Sequence, residues 1–266
     1  MDKLTITTIQ TELFWEDKDA NLRMLESKIR QIAEKTHLIV LPEMFSTGFS
    51  MQPERFAETM DGETVEWMRR LSKLKGAILT GSVIIEENGL YHNRLVWMLP
   101  NGHAGYYDKR HCFTLAGEDK HYAAGSKRLI TSVGGWRIHV QICYDLRFPV
   151  WARQQVHAEA EEPATEYDVL LNVANWPAKR SHAWKTLLQA RAIENQCYVI
   201  GVNRVGTDGF GLEYSGDTTI ADPLGEVLYR QTCIEEVHTI TLEKERLDQV
   251  REKLPFWRDA DDFQIF

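Results

Sequence analysis

Short, continuous apolar runs constrain the fold of this chain more than any other feature. Three of them, at 37–41, 168–173 and 198–203, have the length of a strand but lack the polar alternation of a strand with one solvated face. Such runs are typical of parallel strands covered on both faces. Segments with helical spacing lie between them, so helices and strands alternate along the chain. This order predicts a layered α/β fold with a mixed sheet.

The other predicted elements follow from local patterns. Helices are expected where apolar residues recur every three or four positions, at 19–33, 64–74, 181–195 and 244–253. Further strands are expected at 4–10, 77–85, 90–99, 136–142, 218–221, 227–229 and 237–242. Asn88-Gly89 marks a hairpin turn between two of these strands. The stretch 100–128, rich in Gly, Lys and His, predicts a long functional loop.

Length and charge limit the classes of function. A chain of 266 residues can form one large domain, so a single domain over 1–266 is expected. The net charge of −8, without a Lys/Arg stripe, argues against nucleic acid or an anionic membrane as partner and favours a small molecule. The N-terminus lacks the apolar core of a signal peptide, so a cytoplasmic protein is expected.

The cysteines and histidines do not form metal-binding patterns. Four widely spaced cysteines do not fit a CxxC-type zinc or redox site, and free thiols are expected in a reducing compartment. No two histidines have the spacing and the intervening carboxylate of a zincin helix, so no metal site is predicted. Cys112, Cys197 and Cys233 are expected to be structural.

Three polar segments carry the candidate chemistry. Glu43 follows an apolar run, Lys109 lies in a polar loop, and Cys143 stands where an apolar strand turns polar. A thiol attacks only as thiolate and needs a base, and His139, four residues back on the same strand, is poorly placed for that task. Glu43 can instead accept the thiol proton. Lys109 and the backbone N–H of Tyr144 can stabilise the oxyanion that forms on an attacked carbonyl.

These segments resemble those of a known family. Leu41-Pro42-Glu43, Tyr107-Asp108-Lys109 and the run from Cys143 to Pro149 look like the three catalytic segments of the nitrilase superfamily of carbon-nitrogen hydrolases, in that family's order. Further matches cover nearly the whole chain; they lie at 175–177, 189–195 and 222–225. The resemblance implies a four-layer α-β-β-α sandwich with mixed sheets, no cofactor and at least a dimer, here expected to be a homodimer.

The resemblance also implies a role for each catalytic residue. Glu43 would be the general base, Lys109 the oxyanion stabiliser, and Cys143 the nucleophile that forms a thioester. The family places a second glutamate in the loop after the lysine, and Glu118 in Leu115-Ala116-Gly117-Glu118 matches it. Glu118 is expected to hold Lys109 and to orient the amide of the substrate.

Within the superfamily the chain most resembles the omega-amidases, which hydrolyse the terminal amide of short monoamides such as 2-oxoglutaramate and succinamate. The free carboxylate of such a substrate needs a cation in the pocket. Arg147 is one candidate, although it has an alternative structural role in pairing with Asp145 or a core carboxylate to shape the turn. Further candidate residues are the cations Lys179, Arg180 and Arg204 and, as pocket walls, Phe45, Phe113 and Trp176.

Other functions stay open from the sequence alone. The same three groups serve hydrolases of nitriles, N-carbamoyl amino acids and other linear amides. Tyr144-Asp145 after the cysteine favours an amidase, because a Trp-Glu pair commonly follows the cysteine in true nitrilases. A non-catalytic binding protein with this fold is the alternative from another class. It is disfavoured because such a protein has no need to keep all three groups.

Overall fold

The computed structural model describes residues 1–155, 164–261 and 263–265. The predicted domain range 1–266 also includes 156–163, 262 and 266, which lie outside the described residues. The described strands are β1 Lys3–Gln10, β2 Leu38–Val40, β3 Ile78–Glu87, β4 Leu90–Met98, β5 Ala104–Asp108, β6 Ile130–Val133, β7 Trp136–Ile142, β8 Val169–Val173, β9 Tyr198–Val202, β10 Val205–Thr207, β11 Glu213–Ala221, β12 Val227–Thr232 and β13 Glu236–Glu243. The described helices are α1 Lys18–Gln31, α2 Pro53–Phe56, α3 Glu63–Lys75, α4 Pro149–Ala152, α5 Ser181–Asn195 and α6 Lys244–Lys253.

The strands form two mixed sheets. The first has the order β13-β1-β2-β3-β4-β5, and the second has the order β10-β11-β9-β8-β7-β6, with β12 paired to β11. Parallel pairing joins β1, β2 and β3 in the first sheet and β7, β8 and β9 in the second. The outer strands pair antiparallel. The continuous apolar runs at 37–41, 168–173 and 198–203 therefore correspond to the central parallel strands β2, β8 and β9, as predicted.

The two sheets pack face to face between helices. Leu4 and Val40 of the first sheet share a buried cluster with Val140 and Ile200 of the second. On the outer face of the first sheet, α1 and α3 pack in a second cluster, and α5 and α6 bury apolar residues against the second sheet. The predicted α-β-β-α sandwich is confirmed. None of the described helices is long and apolar enough to cross a lipid bilayer.

Local chemistry sets the ends and the close approaches of these elements. The Asp17 carboxylate caps α1 by accepting the N–H of Ala20 at 2.9 Å. At the C-terminal end of α3, Gly76 has a φ of +60°, the left-handed conformation that glycine adopts without a steric cost. Gly201 lets α5 approach β9, because a Cβ there would lie 2.5 Å from Leu188. At Asp17, Gly76 and Gly201 the residue type is therefore explained by a cap, a left-handed backbone and a close approach, respectively.

One part of the predicted secondary structure is wrong. The predicted loop 100–128 contains β5, an edge strand paired to β4, and two 3₁₀ turns at Thr114–Ala116 and Glu118–Lys120. The sequence of β5 has Gly as its second residue and buries only Tyr107, so it lacks the apolar alternation that signals a strand. The short strands β6 and β10 were also not predicted. The strand 136–142 and the helices 181–195 and 244–253 are confirmed to the residue.

The topology brings several strand ends to one edge of the sandwich. β2 and β3 are parallel, while β4 is antiparallel to β3 and β5 is antiparallel to β4. β5 therefore runs in the same direction as β2, and their carboxyl ends lie at one edge. The chain leaves β2 toward Glu43, β5 toward Lys109 and β7 toward Cys143. The predicted reactive residues thus follow strand ends, where sites collect in α/β folds.

Candidate active site

Glu43, Lys109 and Cys143, although distant in sequence, come together in the structure. All three are buried, and the Nζ of Lys109 lies 2.9 Å from Oε1 of Glu43. Burial and the charge of Glu43 raise the pKa of the Cys143 thiol, and Sγ of Cys143 lies 4.0 Å from the carbonyl oxygen of Asn175. Glu118, from the loop after Lys109, completes the group with Oε2 at 2.9 Å from the same Nζ. The four residues predicted to be catalytic therefore form one cluster.

Cys143 stands on a sharp turn at the end of β7. It opens the 3₁₀ turn Cys143–Arg147 with a φ of +44°, which is unusual for a residue with a side chain. Met44, next to Glu43, has a φ of +41°. Strained backbone of this kind clusters at functional sites, where the surrounding structure holds it in place. The N–H of Tyr144 lies in the first turn of the 3₁₀ segment, where helical N–H groups have no intrahelical acceptor.

Lys109 uses all three of its N–H donors on carboxylates. Besides Glu43 Oε1, Nζ donates to both oxygens of Glu118, at 3.0 and 2.9 Å. Burial acts to lower the pKa of Lys109, but the charges of Glu118 and Glu43 outweigh it and raise that pKa well above its usual range. The lysine is thus a fixed positive charge. To donate to a substrate oxygen, it must exchange one of these three contacts.

The thiol and the second glutamate are both shifted toward their neutral forms. Burial raises the pKa of Cys143 well above its usual range, and the Glu43 charge raises it further. Burial likewise raises the pKa of Glu118. Cys143 is therefore a thiol at neutral pH and reacts only if a neighbouring base takes its proton. His139 is not that base, because burial lowers its pKa to about 3 and its ring contacts Leu129 and Gln141.

Two asparagines belong to the cluster and were given no role from the sequence. Asn93 of β4 donates from Nδ2 to Oε1 of Glu43 at 2.8 Å and to Oε1 of Glu118 at 3.1 Å. Asn175, just after β8, donates its N–H to Oε2 of Glu43 at 2.8 Å and its side-chain amide to the Glu43 carbonyl. The 175–177 family match was a signal for Asn175. Asn93 lies within a strand pattern and carried no such signal.

Asp145 joins the lysine loop to the cysteine turn. One of its oxygens accepts the Tyr107 hydroxyl at 2.7 Å and the N–H of Ile142 at 3.0 Å. The other accepts the N–H of His111 and contacts the His111 ring at 2.8 Å. The alternative pairing of Arg147 with Asp145 is not formed. The Arg147 guanidinium lies instead 4.9 Å from the centre of the Trp176 ring.

A cavity of about 270 Å³ lies beside Cys143. Its walls are mostly apolar and aromatic, and the guanidinium groups of Arg147 and Arg180 are cations on its wall. Arg180 lies over the Phe113 ring at 5.2 Å. Neither arginine side chain has a carboxylate partner within the described residues. The lining residues are Phe49, Met51, Phe113, Ala116, Cys143, Tyr144, Arg147, Asn175, Trp176, Pro177, Arg180, Asp208, Phe210, Leu212 and Tyr214.

Three residues predicted to bind substrate do not line this cavity. Phe45 is fully buried and packs on Trp67 in the core beneath α3, because the chain after Glu43 turns its side chain inward. Lys179 is exposed on a 3₁₀ turn. Arg204 is buried behind Tyr214. Its guanidinium donates to backbone carbonyls of β10, which pairs with β11, and to the carbonyl of Leu13. Four residues predicted to bind substrate do line it, namely Phe113, Arg147, Trp176 and Arg180, and the predicted nucleophile Cys143 and Tyr144 line it as well.

The comparisons with known proteins all identify the same family. The carbon-nitrogen hydrolase family model matches residues 5–252. The chain is 42% identical to an omega-amidase, YafV, of Escherichia coli over 100% of both chains, and 31% identical to a 2-oxoglutaramate amidase of Bacillus subtilis over 97% of both. Among solved structures, it superposes with a TM-score of 0.97 on XC1258 of Xanthomonas campestris, a CN-hydrolase superfamily protein with an arsenic adduct in its active site, at 42% identity and full coverage of both chains.

Proposed function

The chain belongs to the carbon-nitrogen hydrolase family, and we propose that it is an omega-amidase that hydrolyses short omega-monoamides of dicarboxylic or α-keto acids. The observation that carries this proposal is the cavity that holds Cys143 together with two arginines lacking carboxylate partners among the described residues. An amide at the cysteine and a carboxylate at the arginines are the two ends of such a substrate. 2-Oxoglutaramate and succinamate are the expected substrates.

Acylation begins with Glu43 and Cys143. Glu43 takes the proton of the thiol while sulfur attacks the amide carbon, so that the carbonyl oxygen becomes an oxyanion. Lys109 and the N–H of Tyr144 donate to this oxyanion, the charge for which a preorganised donor pair is most effective. The carbon–nitrogen bond then breaks, and the proton held by Glu43 passes to the leaving nitrogen. Ammonia leaves and a thioester remains on Cys143.

Deacylation reuses the same groups. Glu43 takes a proton from a water molecule, whose oxygen attacks the thioester carbon, and Lys109 again faces the oxyanion. The carbon–sulfur bond breaks, the proton returns to sulfur, and the free acid leaves. In each half of the reaction Lys109 exchanges its contact with Glu43 for the oxyanion, while Glu118 holds it through both of its oxygens. Each step uses groups that lie in one buried cluster, and none needs a cofactor.

Substrate selection depends on the arginines. The aromatic rings under Arg147 and Arg180 support their guanidinium groups without neutralising them. Asp208 is a carboxylate of the described lining, but its oxygens accept the N–H groups of Phe210 and Leu212 and the hydroxyl of Tyr214. It is thus committed to its own hairpin. The arginines are left available for the carboxylate of the substrate.

Ammonia release from a panel of compounds tests the proposal. Purified protein should release ammonia from 2-oxoglutaramate and succinamate faster than from a nitrile or an N-carbamoyl amino acid, and Cys143→Ala should release none. If a nitrile or N-carbamoyl compound were preferred, another activity of the same superfamily would replace this one. A wild-type protein inactive on every compound would favour the non-catalytic alternative.

The role of Arg147 can be separated from catalysis by an uncharged substrate. Arg147→Ala should lower kcat/KM for succinamate by about 10- to 100-fold, since a hydrogen bond to a charged group contributes roughly 1.5–3 kcal/mol. It should change kcat/KM for butyramide, which has no carboxylate, by much less. Lys179→Ala, an exposed cation outside the cavity, is the control and should change neither. Equal losses on both substrates would contradict carboxylate recognition by Arg147.

A homodimer in the cytoplasm is part of this proposal. It is supported by the family to which the chain belongs. Sedimentation at micromolar concentration would test the oligomeric state.

A further inference from the structure

Asn93 contacts every charged member of the catalytic cluster. It lies near the start of β4, at the sheet edge where β2 and β5 end. Its backbone carbonyl accepts the N–H of Lys109 at 3.0 Å, and its Nδ2 donates to Oε1 of both Glu43 and Glu118. The side chain is 1% exposed, so no solvent molecule can readily replace it. A single residue thereby ties three separate segments together.

The orientation of the Asn93 amide is set by charge. If the amide were turned over, Oδ1 would face two carboxylates in a buried site, which is strongly unfavourable. In the observed orientation both N–H groups of Nδ2 are used, and Oδ1 has no partner within the described residues. An apolar core would not require this arrangement. It is explained by the need to satisfy two neighbouring acids that share one lysine.

The carboxylate of Glu43 has one acceptor position that no donor of the described residues occupies. A carboxylate has about four acceptor positions. On Glu43, Oε1 accepts from Lys109 and Asn93, and Oε2 accepts the N–H of Asn175. The remaining position is the one available to the Cys143 proton. Loss of the Asn93 contact would free a second position and let the carboxylate rotate.

We propose that Asn93 is a positioning residue that holds the Glu43 and Glu118 carboxylates together around Lys109 and keeps Glu43 ready to accept the proton of Cys143. This inference rests on the base role of Glu43 in the proposed function. Its physical basis is that two adjacent carboxylates with one cation favour protonation of one of them, and hydrogen bonds to the charged forms oppose that protonation. Without Asn93, the pair binds a proton at higher pH.

Alkylation of Cys143 tests this inference without any amide substrate. Iodoacetamide labelling of the Cys143 peptide is measured by mass spectrometry from pH 4 to 9, for wild type, Asn93→Ala, Asn93→Leu and Glu43→Gln. Both Asn93 variants should shift the acidic limb of the profile upward by about one pH unit or more, from the loss of a charge-assisted hydrogen bond. Glu43→Gln should abolish that limb, leaving only the rise at high pH.

Asn172→Ala is the matched control. Asn172 is also a fully buried strand asparagine, and its side-chain amide has no hydrogen-bond partner within the described residues. Its variant should keep the wild-type profile. Asn93→Leu keeps a similar shape, so a folded variant is expected even if Asn93→Ala unfolds. A folded Asn93 variant with the wild-type limb would overturn the inference. An unchanged profile in Glu43→Gln would remove the base on which it rests, whereas failure of every amide substrate would overturn only the proposed activity.

Discussion

Glu118→Gln tests how much the second glutamate contributes beyond packing. The Glu118 carboxylate has donors at four acceptor positions. Oε1 accepts from Lys109 and Asn93, and Oε2 accepts from Lys109 and the N–H of Phe113. A glutamine has one acceptor oxygen and one NH₂ group, so in either orientation its NH₂ group meets two donors. The substitution therefore breaks at least one charge-assisted contact to Lys109 while keeping the shape of the side chain.

The expected loss of activity follows from those contacts. One or two hydrogen bonds to a charged group, at roughly 1.5–3 kcal/mol each, place the cost to transition-state stabilisation at about 2–4 kcal/mol. This corresponds to a fall in kcat of about 30- to 1000-fold. Stability should change much less. The wild-type cluster holds two buried carboxylates and one ammonium, and the substitution removes the excess negative charge.

Initial rates of ammonia release from succinamate give kcat and KM, and thermal unfolding reports the fold. Asp119→Asn is the control, because Asp119 is the exposed neighbouring acid and should have wild-type kinetics. For Glu118→Gln we expect a large fall in kcat at nearly constant KM and a small change in Tm. A Glu118→Gln enzyme with kcat within about threefold of wild type would show that the Glu118 carboxylate is not needed to hold Lys109 for catalysis.

Three further substitutions test the fold and the wall of the cavity. Burial acts to raise the pKa of Asp168, but the hydrogen bonds from Lys244 at 2.8 Å and from the backbone N–H of Arg137 at 3.0 Å lower it from 3.8 to about 2. The native state should therefore lose about 2 kcal/mol as pH falls from about 4 to 2, and Asp168→Asn should remove that dependence in denaturant unfolding at several pH values. Phe45→Ala should lower the free energy of unfolding by about 3–5 kcal/mol, because it leaves a cavity in the core. Phe113→Ala should raise KM for succinamate with little loss of stability. Equal losses of stability in the two variants would contradict the placement of Phe45 in the core and Phe113 on the cavity wall.

Much of the fold could be predicted because local and tertiary preferences agree. The central strands are apolar on both faces, and α5 and α6 have periodic apolar positions, so their bounds follow from sequence alone. β5 could not be predicted, since its pairing with β4 rather than its composition makes it a strand. That pairing also places Lys109 opposite Asn93, a relation between distant residues that spacing along the chain does not reveal.

The candidate site likewise contains residues that could be predicted from the sequence and residues that could not. Glu43, Lys109, Cys143 and Glu118 were predicted from segments that resemble a family, and the structure brings them together. Phe45 was expected on the cavity wall because it follows Glu43, but neighbouring residues on a turn point in different directions, and its ring faces the core. The wall formed by the hairpin between β10 and β11 was not predicted, because its contact with the site depends on the packing of the second sheet.

Direct observation of the thioester tests covalent catalysis by Cys143. Wild-type protein would be mixed with succinamate, quenched in acid within milliseconds and examined by intact-protein and peptide mass spectrometry. We expect a succinyl adduct on the peptide that contains Cys143, formed as ammonia is released, and its absence in Cys143→Ala. Continuous ammonia release with no adduct on that peptide, or turnover by Cys143→Ala, would contradict covalent catalysis by this cysteine.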